Sequence, residues 1–150
     1  MRIVIEPYKE SDFSSIIRIE ADGVYNPLDQ DGVFSLVSSE HKSCIVARQA
    51  ARNVEYPAIA YAAFTWTKLS LVVLSIAVDP DYRRQRIGMK LINHMSDIAT
   101  ASRKNLMVVS CHERREEFVS FLGACGFVFD NSYKISDGDC IWMFSRKVRR

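Results

Sequence analysis

The stretch Leu74-Ser-Ile-Ala-Val-Asp-Pro-Asp-Tyr-Arg-Arg-Gln-Arg-Ile-Gly-Met-Lys90 carries more information than any other part of this 150-residue chain. A β-rich run stops at Asp79-Pro80, a short basic loop follows, and the pattern then changes to that of a helix. The first amides of a helix have no partner within it, and its N-terminal end carries partial positive charge. Positive charge there is increased by three arginines, Arg83, Arg84 and Arg86. The segment therefore predicts a polyphosphate site where Gly88 permits close approach to the backbone, unless the arginines are merely solvated.

The hydrophobic periodicity on both sides of this segment predicts an α/β protein. Its strands are expected at Arg2–Glu6, Cys44–Gln49, Pro57–Trp66, Ser70–Val78, Asn105–Cys111, Gly126–Tyr133 and Asp139–Lys147. Its helices are expected after a Ser11 cap, at Val33–Ser38, at Gln85–Ser102 and around Phe118–Cys125. The order β-α-α-β-β-β-α-β-α-β-β describes one mixed sheet, with a hairpin turn at Asp137-Gly138. No repeat or linker interrupts it, so we expect residues 1–150 to form a single domain.

Composition excludes several classes of protein. Hydrophobic residues make up 48% of the chain and charged residues 25%, as in an ordinary globular domain and unlike a disordered one. The net charge of +2 is too small to favour nucleic acid as a partner. No Cys-x-x-Cys pair and no histidine cluster is present, so no metal site is expected. The N-terminus lacks the apolar run of a signal peptide, and we therefore expect a cytoplasmic protein with free thiols.

One apolar stretch, from Pro57 to Val78, has the length of a membrane span. Its only charged residue, Lys68, would lie near the bilayer centre, at a cost of about 2.5–3.5 kcal/mol. The stretch also alternates and is rich in β-formers, which favours strands over a helix. We therefore predict two adjacent strands joined at Thr67-Lys68, and no membrane association.

The loop Arg83-Arg84-Gln85-Arg86-Ile87-Gly88 resembles the pyrophosphate loop of the GNAT superfamily of N-acetyltransferases, which reads Gln/Arg-x-x-Gly-x-Gly/Ala after a strand ending in Val-x-Pro. The first family glycine is replaced by Arg86, which an ordinary helical backbone conformation would tolerate. Cys125-Gly126-Phe127 is similar to the family's Gly-Phe opening of the penultimate strand. The resemblance extends over the whole element order, and it implies a GNAT-like mixed sheet with helices on both faces.

The resemblance implies acetyl-coenzyme A as the donor. Backbone groups of Ile76, Ala77 and Val78 would be free for the pantetheine arm, and the Ile76 amide would polarise the thioester carbonyl. The pyrophosphate would be bound, largely by amides, at Arg83, Arg84, Gln85, Arg86, Ile87, Gly88 and Met89. Lys90 or a spare arginine would meet the ribose phosphate. His112 and Arg115 fall where family members contact the pantetheine or adenosine arm, although both residues could equally be ordinary surface groups.

Transfer requires a neutral amine, and a lysine-like amine at pH 7 is protonated with a penalty of about 4.6 kcal/mol. Some proton acceptor is therefore expected. By the resemblance, Val72 replaces the usual glutamate and Leu122 replaces the usual tyrosine acid. The remaining candidates are Glu20 on the apolar face of the first helix, His112 at a strand end, and Ser75. Each also has a structural interpretation, as a helix-end carboxylate, a helix cap and a polar core residue.

The sequence is compatible with two functions. The first is an enzyme that moves an acetyl group to a primary amine of a small molecule or peptide, and the acidic residues near the expected acceptor mouth, Glu20, Asp22, Asp29 and Asp31, would suit a cationic acceptor. The second is a binding module that keeps the coenzyme site without turnover. Proximity and a polarised thioester favour the enzyme. The segment from Ala21 to Gly32 is expected to shape the acceptor pocket, and the resemblance is compatible with a homodimer.

Overall fold

The structure, a computed structural model, describes residues 2–23, 27–136 and 138–148. This part contains seven strands, β1 (Ile3–Pro7), β2 (Ser43–Ala51), β3 (Val54–Trp66), β4 (Ser70–Val78), β5 (Leu106–His112), β6 (Val128–Lys134) and β7 (Cys140–Lys147). It contains four α-helices, α1 (Phe13–Gly23), α2 (Gln30–Ser38), α3 (Ile87–Ala101) and α4 (Glu116–Ala124). The predicted order of strands and helices is confirmed, with short 3-10 turns added at Glu10–Asp12 and Pro80–Tyr82.

The strands form one mixed sheet in the order β1-β2-β3-β4-β5-β7-β6. The central neighbours β4 and β5 run parallel, whereas the other neighbouring pairs are antiparallel. A parallel connection needs a crossover, which α3 provides between these two strands. The one parallel junction therefore lies at the middle of the sheet.

Different helices cover the two faces of the sheet. Helices α3 and α4 pack on one face, where Leu91 and Leu122 are fully buried. Helices α1 and α2 pack on the other face, where Ile16 and Val33 are fully buried. Each amphipathic helix turns its apolar side toward the sheet, and the expectation of helices on both faces is confirmed.

Strands β4 and β5 separate along their length. They pair from Ser70 with Leu106 to Val73 with Val109, after which β4 continues to Val78 and β5 to His112 without pairing to each other. At the same point β4 holds one extra residue, Leu74, between the residues that pair with Phe64 and Ala63 of β3. A β-bulge bends its strand, so the bulge directs β4 away from β5. The result is a gap at the centre of the sheet.

Some predicted boundaries need correction. The bounds of β4, Ser70–Val78, agree with the prediction, whereas those of the first two helices do not. The predicted cap at Ser11 is wrong, because Ser11 lies inside a 3-10 turn that precedes α1. Helix α2 begins at Gln30 and not at Val33, because the Asp29 carboxylate accepts a hydrogen bond from the Gly32 amide over 2.8 Å and caps the helix.

Two further expectations concern turns and membranes. Asp137 of the predicted hairpin lies outside the described residues, whereas Gly138 has a φ of 88°, a conformation that favours glycine. The apolar stretch Pro57–Val78 falls in β3 and β4, as predicted. Among the helices of the described ranges, none has the length and apolarity needed to cross a membrane.

Candidate active site

The gap between β4 and β5 opens into a cleft of about 1030 Å³. One wall is the end of β4, at Ile76, Ala77 and Val78, and the opposite wall is the first half of α4. The basic loop and the start of α3 form the mouth. Because β4 has no strand partner on this side beyond Val73, its backbone edge is available to a ligand.

Asp79 fixes the point at which β4 ends and the basic loop begins. Its carboxylate is 4% exposed and accepts hydrogen bonds from the Asp81 amide over 3.0 Å and from Nη1 of Arg18 over 2.7 Å. Burial alone would raise the pKa of Asp79, but the hydrogen bonds from Arg18 and the Asp81 amide lower it below its usual value. The loop is thereby anchored to α1 by an ionised carboxylate.

The basic loop contains two residues in the left-handed region, Arg84 with a φ of 63° and Arg86 with a φ of 60°. Arg86 therefore does not have the ordinary helical conformation that would tolerate a residue other than glycine. Left-handed residues in a turn direct successive amides into a concavity that suits an anion. Arg86 is also the N-cap of α3 and makes no side-chain cap, so the first amides of that helix remain oriented toward the mouth.

Gly88 is required by the side chain that packs against it. A Cβ atom at this position would lie 2.9 Å from the ring of Phe121, a side chain of α4 that lines the cleft. The glycine thus permits α3 and α4 to approach each other at the cleft, in addition to the close ligand approach predicted from the sequence.

The structure brings most of the predicted coenzyme residues to this one cleft. They are Ile76, Ala77, Val78, Arg83, Arg84, Arg86, Ile87, Gly88, Met89 and Arg115. Gln85 and Lys90 are exposed and do not line it, and Lys90 borders a separate shallow hollow of about 380 Å³ beside β1. Their roles stay predictions.

Behind β4, on the face covered by α1, three side chains form a hydrogen-bonded cluster. Glu20, which is 1% exposed, accepts from the Tyr61 hydroxyl over 2.5 Å and from the Ser75 hydroxyl over 3.2 Å through Oε1. Its Oε2 accepts from the Leu28 amide over 2.9 Å. The Tyr61 and Ser75 oxygens lie 2.7 Å apart. Burial, and then the Glu20 carboxylate, raise the pKa of Tyr61, which therefore stays protonated.

Sequence reasoning identified Glu20 and Ser75 but missed Tyr61. The available signal was a tyrosine within the alanine-rich strand Pro57–Trp66, because a buried phenol needs a hydrogen-bond partner. Glu20 was one such partner, since it occupies a core position of the first helix. Ser75 is the half-buried member of the cluster and directly precedes Ile76 in β4.

His112 lies at the end of β5 and does not line the cleft. Its Nδ1 accepts a hydrogen bond from the Arg114 amide over 3.1 Å, and its Nε2 lies 3.0 Å from a carboxylate oxygen of Asp139. These contacts hold the turn between β5 and α4 against the start of β7. They do not cap α4, because the bonded amide of Arg114 precedes the helix, which begins at Glu116 without a side-chain cap. A catalytic role of His112 stays a prediction.

Arg115 enters the cleft from the turn before α4. Its guanidinium carbon lies 4.2 Å from the centre of the Phe118 ring, a cation–π distance. Burial lowers the pKa of Arg115, although attraction to Cys111, Glu20 and Tyr61 opposes the shift. Arg115 therefore contributes a half-buried positive charge to the cleft.

No group of three or more His, Cys, Asp or Glu side chains is placed to hold a metal ion in residues 2–23, 27–136 and 138–148.

Comparison with known proteins agrees with this geometry. The model of the acetyltransferase (GNAT) domain matches residues 40–129, which include the divergent strands, the basic loop and α4. The chain belongs to the GNAT acetyltransferases. The resemblance noted in the pyrophosphate loop is therefore confirmed.

Solved GNAT structures share the fold over nearly the whole chain. Ard1 from Thermoplasma volcanium has a TM-score of 0.85 at 18% identity, with 100% of both chains covered. The ribosomal-protein-S18-alanine N-acetyltransferase from Escherichia coli has a TM-score of 0.81 at 18% identity, covering 99% of this chain and 96% of that one. Arabidopsis thaliana NAA60, solved with acetyl-CoA, has a TM-score of 0.81 at 13% identity, covering 98% and 99%. No curated protein sequence matches the chain.

Two positions of this GNAT chain hold side chains that cannot transfer a proton. Val72 pairs with Thr65 and Val108 inside the sheet. Leu122 is fully buried in the core beneath α4. Any proton transfer must therefore involve other residues or water.

Replacing Arg86 by glycine is expected to stabilise the protein. Relief of the left-handed conformation, worth about 1–2 kcal/mol, exceeds the entropic cost of glycine, about 0.5–1 kcal/mol, so the free energy of unfolding should rise by about 0.5–1 kcal/mol. The matched control is Arg83→Gly. Because Arg83 has an ordinary φ of −69°, this change gains nothing from the backbone and should lower the free energy of unfolding by about 0.5–1 kcal/mol. Urea denaturation measures both variants, and equal losses in the two would contradict the left-handed assignment.

Proposed function

We propose that this protein transfers an acetyl group from acetyl-coenzyme A to a primary amine of a small molecule or peptide. The observation that carries the proposal is the separation of β4 from β5 beyond Val73, with a basic helix start at the mouth of the resulting cleft. The extended arm of the coenzyme can form hydrogen bonds with an unpaired strand edge, and its pyrophosphate can be bound by backbone amides and cationic side chains. The cleft contains the strand edge and the basic helix start together.

The residues at the mouth fit the charge and shape of a pyrophosphate. Amides of the turn that contains Arg84 and Arg86 and of the first turn of α3 are suited to bind its oxygens. The arginine side chains are exposed and add long-range attraction for an anion. Arg83 lies 4.0 Å from Glu117 across the mouth, so a ligand would compete with that weak contact.

The donor supplies an acetyl group activated as a thioester. The free edge of β4 binds the arm beside it, and the Ile76 amide donates a hydrogen bond to the thioester oxygen as negative charge develops there. Holding the amine close to this carbon supplies much of the acceleration without a dedicated base. Val72 and Leu122 are therefore compatible with turnover.

The amine proton leaves toward Glu20. Ser75 accepts it at Oγ while its own hydroxyl proton passes to Oε1 of Glu20, 3.2 Å away. Tyr61 supports this route because its hydroxyl lies 2.7 Å from Ser75 and 2.5 Å from the same carboxylate oxygen. Glu20 is thus the proton acceptor, reached through the hydroxyl of Ser75, the residue that precedes Ile76 in β4.

A coenzyme-binding module without turnover is the alternative, and Val72 and Leu122 favour it. Other features of the proposal rest on the sequence: one acetyltransferase domain over residues 1–150, a cytoplasmic location and a homodimer. Of the acidic acceptor residues, Asp22 and Asp31 are exposed, Asp29 caps α2 and Glu20 is buried. Residues 24–26 of the acceptor segment lie outside the described ranges.

Release of free thiol from acetyl-coenzyme A, measured with a panel of amines, tests the function. The panel should contain polyamines, aminoglycosides, and peptides that offer an α-amine or a lysine side chain. We expect amine-dependent thiol release with at least one class, together with the acetylated product by mass spectrometry. Coenzyme binding without thiol release from any amine would favour the binding module instead.

Glu20→Gln is expected to lower turnover by roughly tenfold to a hundredfold, near the lower end of what a positioned base contributes. The pH profile should move toward alkaline pH, where free amine is abundant. The glutamine can still accept from the Leu28 amide and donate to the hydroxyls of Tyr61 and Ser75, so the fold should be retained.

The control for Glu20→Gln is Asp130→Asn, which removes an exposed carboxylate from β6, away from the cleft, and should leave the pH profile unchanged. If Glu20→Gln leaves both rate and profile unchanged, the proton does not go to Glu20. The same measurement on His112→Ala then tests the remaining candidate.

A further inference from the structure

The proposed transfer leaves the thiolate of coenzyme A, an anion that Glu20 and Ser75 do not stabilise. When the amine nitrogen bonds to the acetyl carbon, the carbon–sulfur bond breaks and its electron pair stays on sulfur as a thiolate. The amine proton leaves separately, toward Ser75 and Glu20. Because Leu122 is buried and apolar, it offers the sulfur neither a proton nor a charge.

The charges that line the cleft differ in depth. Six charged residues of the lining are exposed, namely Arg83, Arg84, Arg86, Arg114, Glu116 and Glu117. Arg115, in contrast, is half-buried. A charge acts more strongly on a neighbour where water is partly excluded. Arg115 is therefore the cation suited to act on the reacting atoms, whereas the exposed arginines suit the pyrophosphate at the mouth.

The Arg115 guanidinium is held in place without being neutralised. The Phe118 ring supports it at 4.2 Å, and none of the described carboxylates comes within ion-pair distance of it. Arg115, its supporting ring Phe118 and the β4 residue Ile76, whose amide is proposed to polarise the thioester, all line the same cleft. The cation therefore lies in the cavity in which the thioester must meet the amine.

We propose that Arg115 is a catalytic residue that stabilises the leaving thiolate of coenzyme A, in place of a proton donor. This inference rests on the proposed acetyl transfer. The fixed positive charge attracts the sulfur as the carbon–sulfur bond breaks, and no proton needs to reach the sulfur in that step. The same charge disfavours an ammonium nearby and so favours the neutral acceptor amine. One cation thus assists both partners of the reaction.

Titration of bound coenzyme A tests this role without turnover. The ultraviolet absorbance of the thiolate reports the thiol pKa of coenzyme A in complex with the wild type, Arg115→Lys and Arg115→Met. A cation within about 4–6 Å lowers an acid's pKa by about one to three units, so the bound thiol should titrate at least one unit lower in the wild type than in Arg115→Met. Arg115→Lys should lie between them. Methionine can still pack on Phe118, which preserves the fold.

Kinetics provide the second measurement. With the best amine of the panel, Arg115→Met should lower kcat roughly tenfold to a hundredfold while the KM for acetyl-coenzyme A changes less than threefold. Arg52→Met, an exposed arginine in the turn between β2 and β3, is the control for loss of one positive charge and should match the wild type.

The outcomes separate the two proposals. Equal thiol pKa values in the wild type and Arg115→Met, with coenzyme A bound to both, would overturn the role of Arg115 and leave the acetyltransferase proposal intact. A large loss of coenzyme affinity with unchanged kcat would also overturn it, since Arg115 would then bind the coenzyme only. Failure of the wild type to bind coenzyme A would overturn the proposed function itself.

Discussion

The structure depends on one constraint, the departure of β4 from β5 at the only parallel junction of the described sheet. Four residue pairs, from Ser70 with Leu106 to Val73 with Val109, hold the strands together, and the extra residue Leu74 then turns β4 away. The backbone edge of β4 is left without a strand partner in the middle of the protein. An unpaired edge in such a position costs free energy unless water or a ligand satisfies it. The fold therefore offers an extended ligand a backbone edge with which it can pair in place of water.

Charges are arranged along this gap by depth. The exposed arginines and the first amides of α3 lie at the mouth, and Arg115 is a half-buried cation of the same cleft. Behind β4, the buried carboxylate of Glu20 is joined to Tyr61 and Ser75 by hydrogen bonds. An acetyl transfer separates charge, because a proton leaves the amine while an electron pair moves to sulfur. A carboxylate on one side of β4 and a cation on the other match these two movements.

Much of this could be predicted from the sequence, for identifiable reasons. The strand Ser70–Val78 and the basic loop were predictable because a β-rich run, Asp79-Pro80 and a helical stripe follow one another directly. Burial of Glu20 followed from helical spacing. The sequence did not reveal the left-handed Arg86, because arginine, unlike glycine, rarely adopts that conformation and so gives no signal of it. Tyr61 was missed because its partners come from α1 and β4, and Phe121 because a ring contact at Gly88 requires the packing of α4.

Amide NMR spectra of isotope-labelled protein can show whether the free edge of β4 binds the thioester arm. On addition of acetyl-coenzyme A, the amide signals of Ile76 and Val78 should shift and their exchange with solvent should slow, together with those of Ile87, Gly88 and Met89. The amide of Val73, which is already within the ladder with β5, should change little. Changes confined to the loop and the start of α3, with Ile76 and Val78 unaffected, would contradict the account, because the cleft would then bind a phosphate without engaging the thioester.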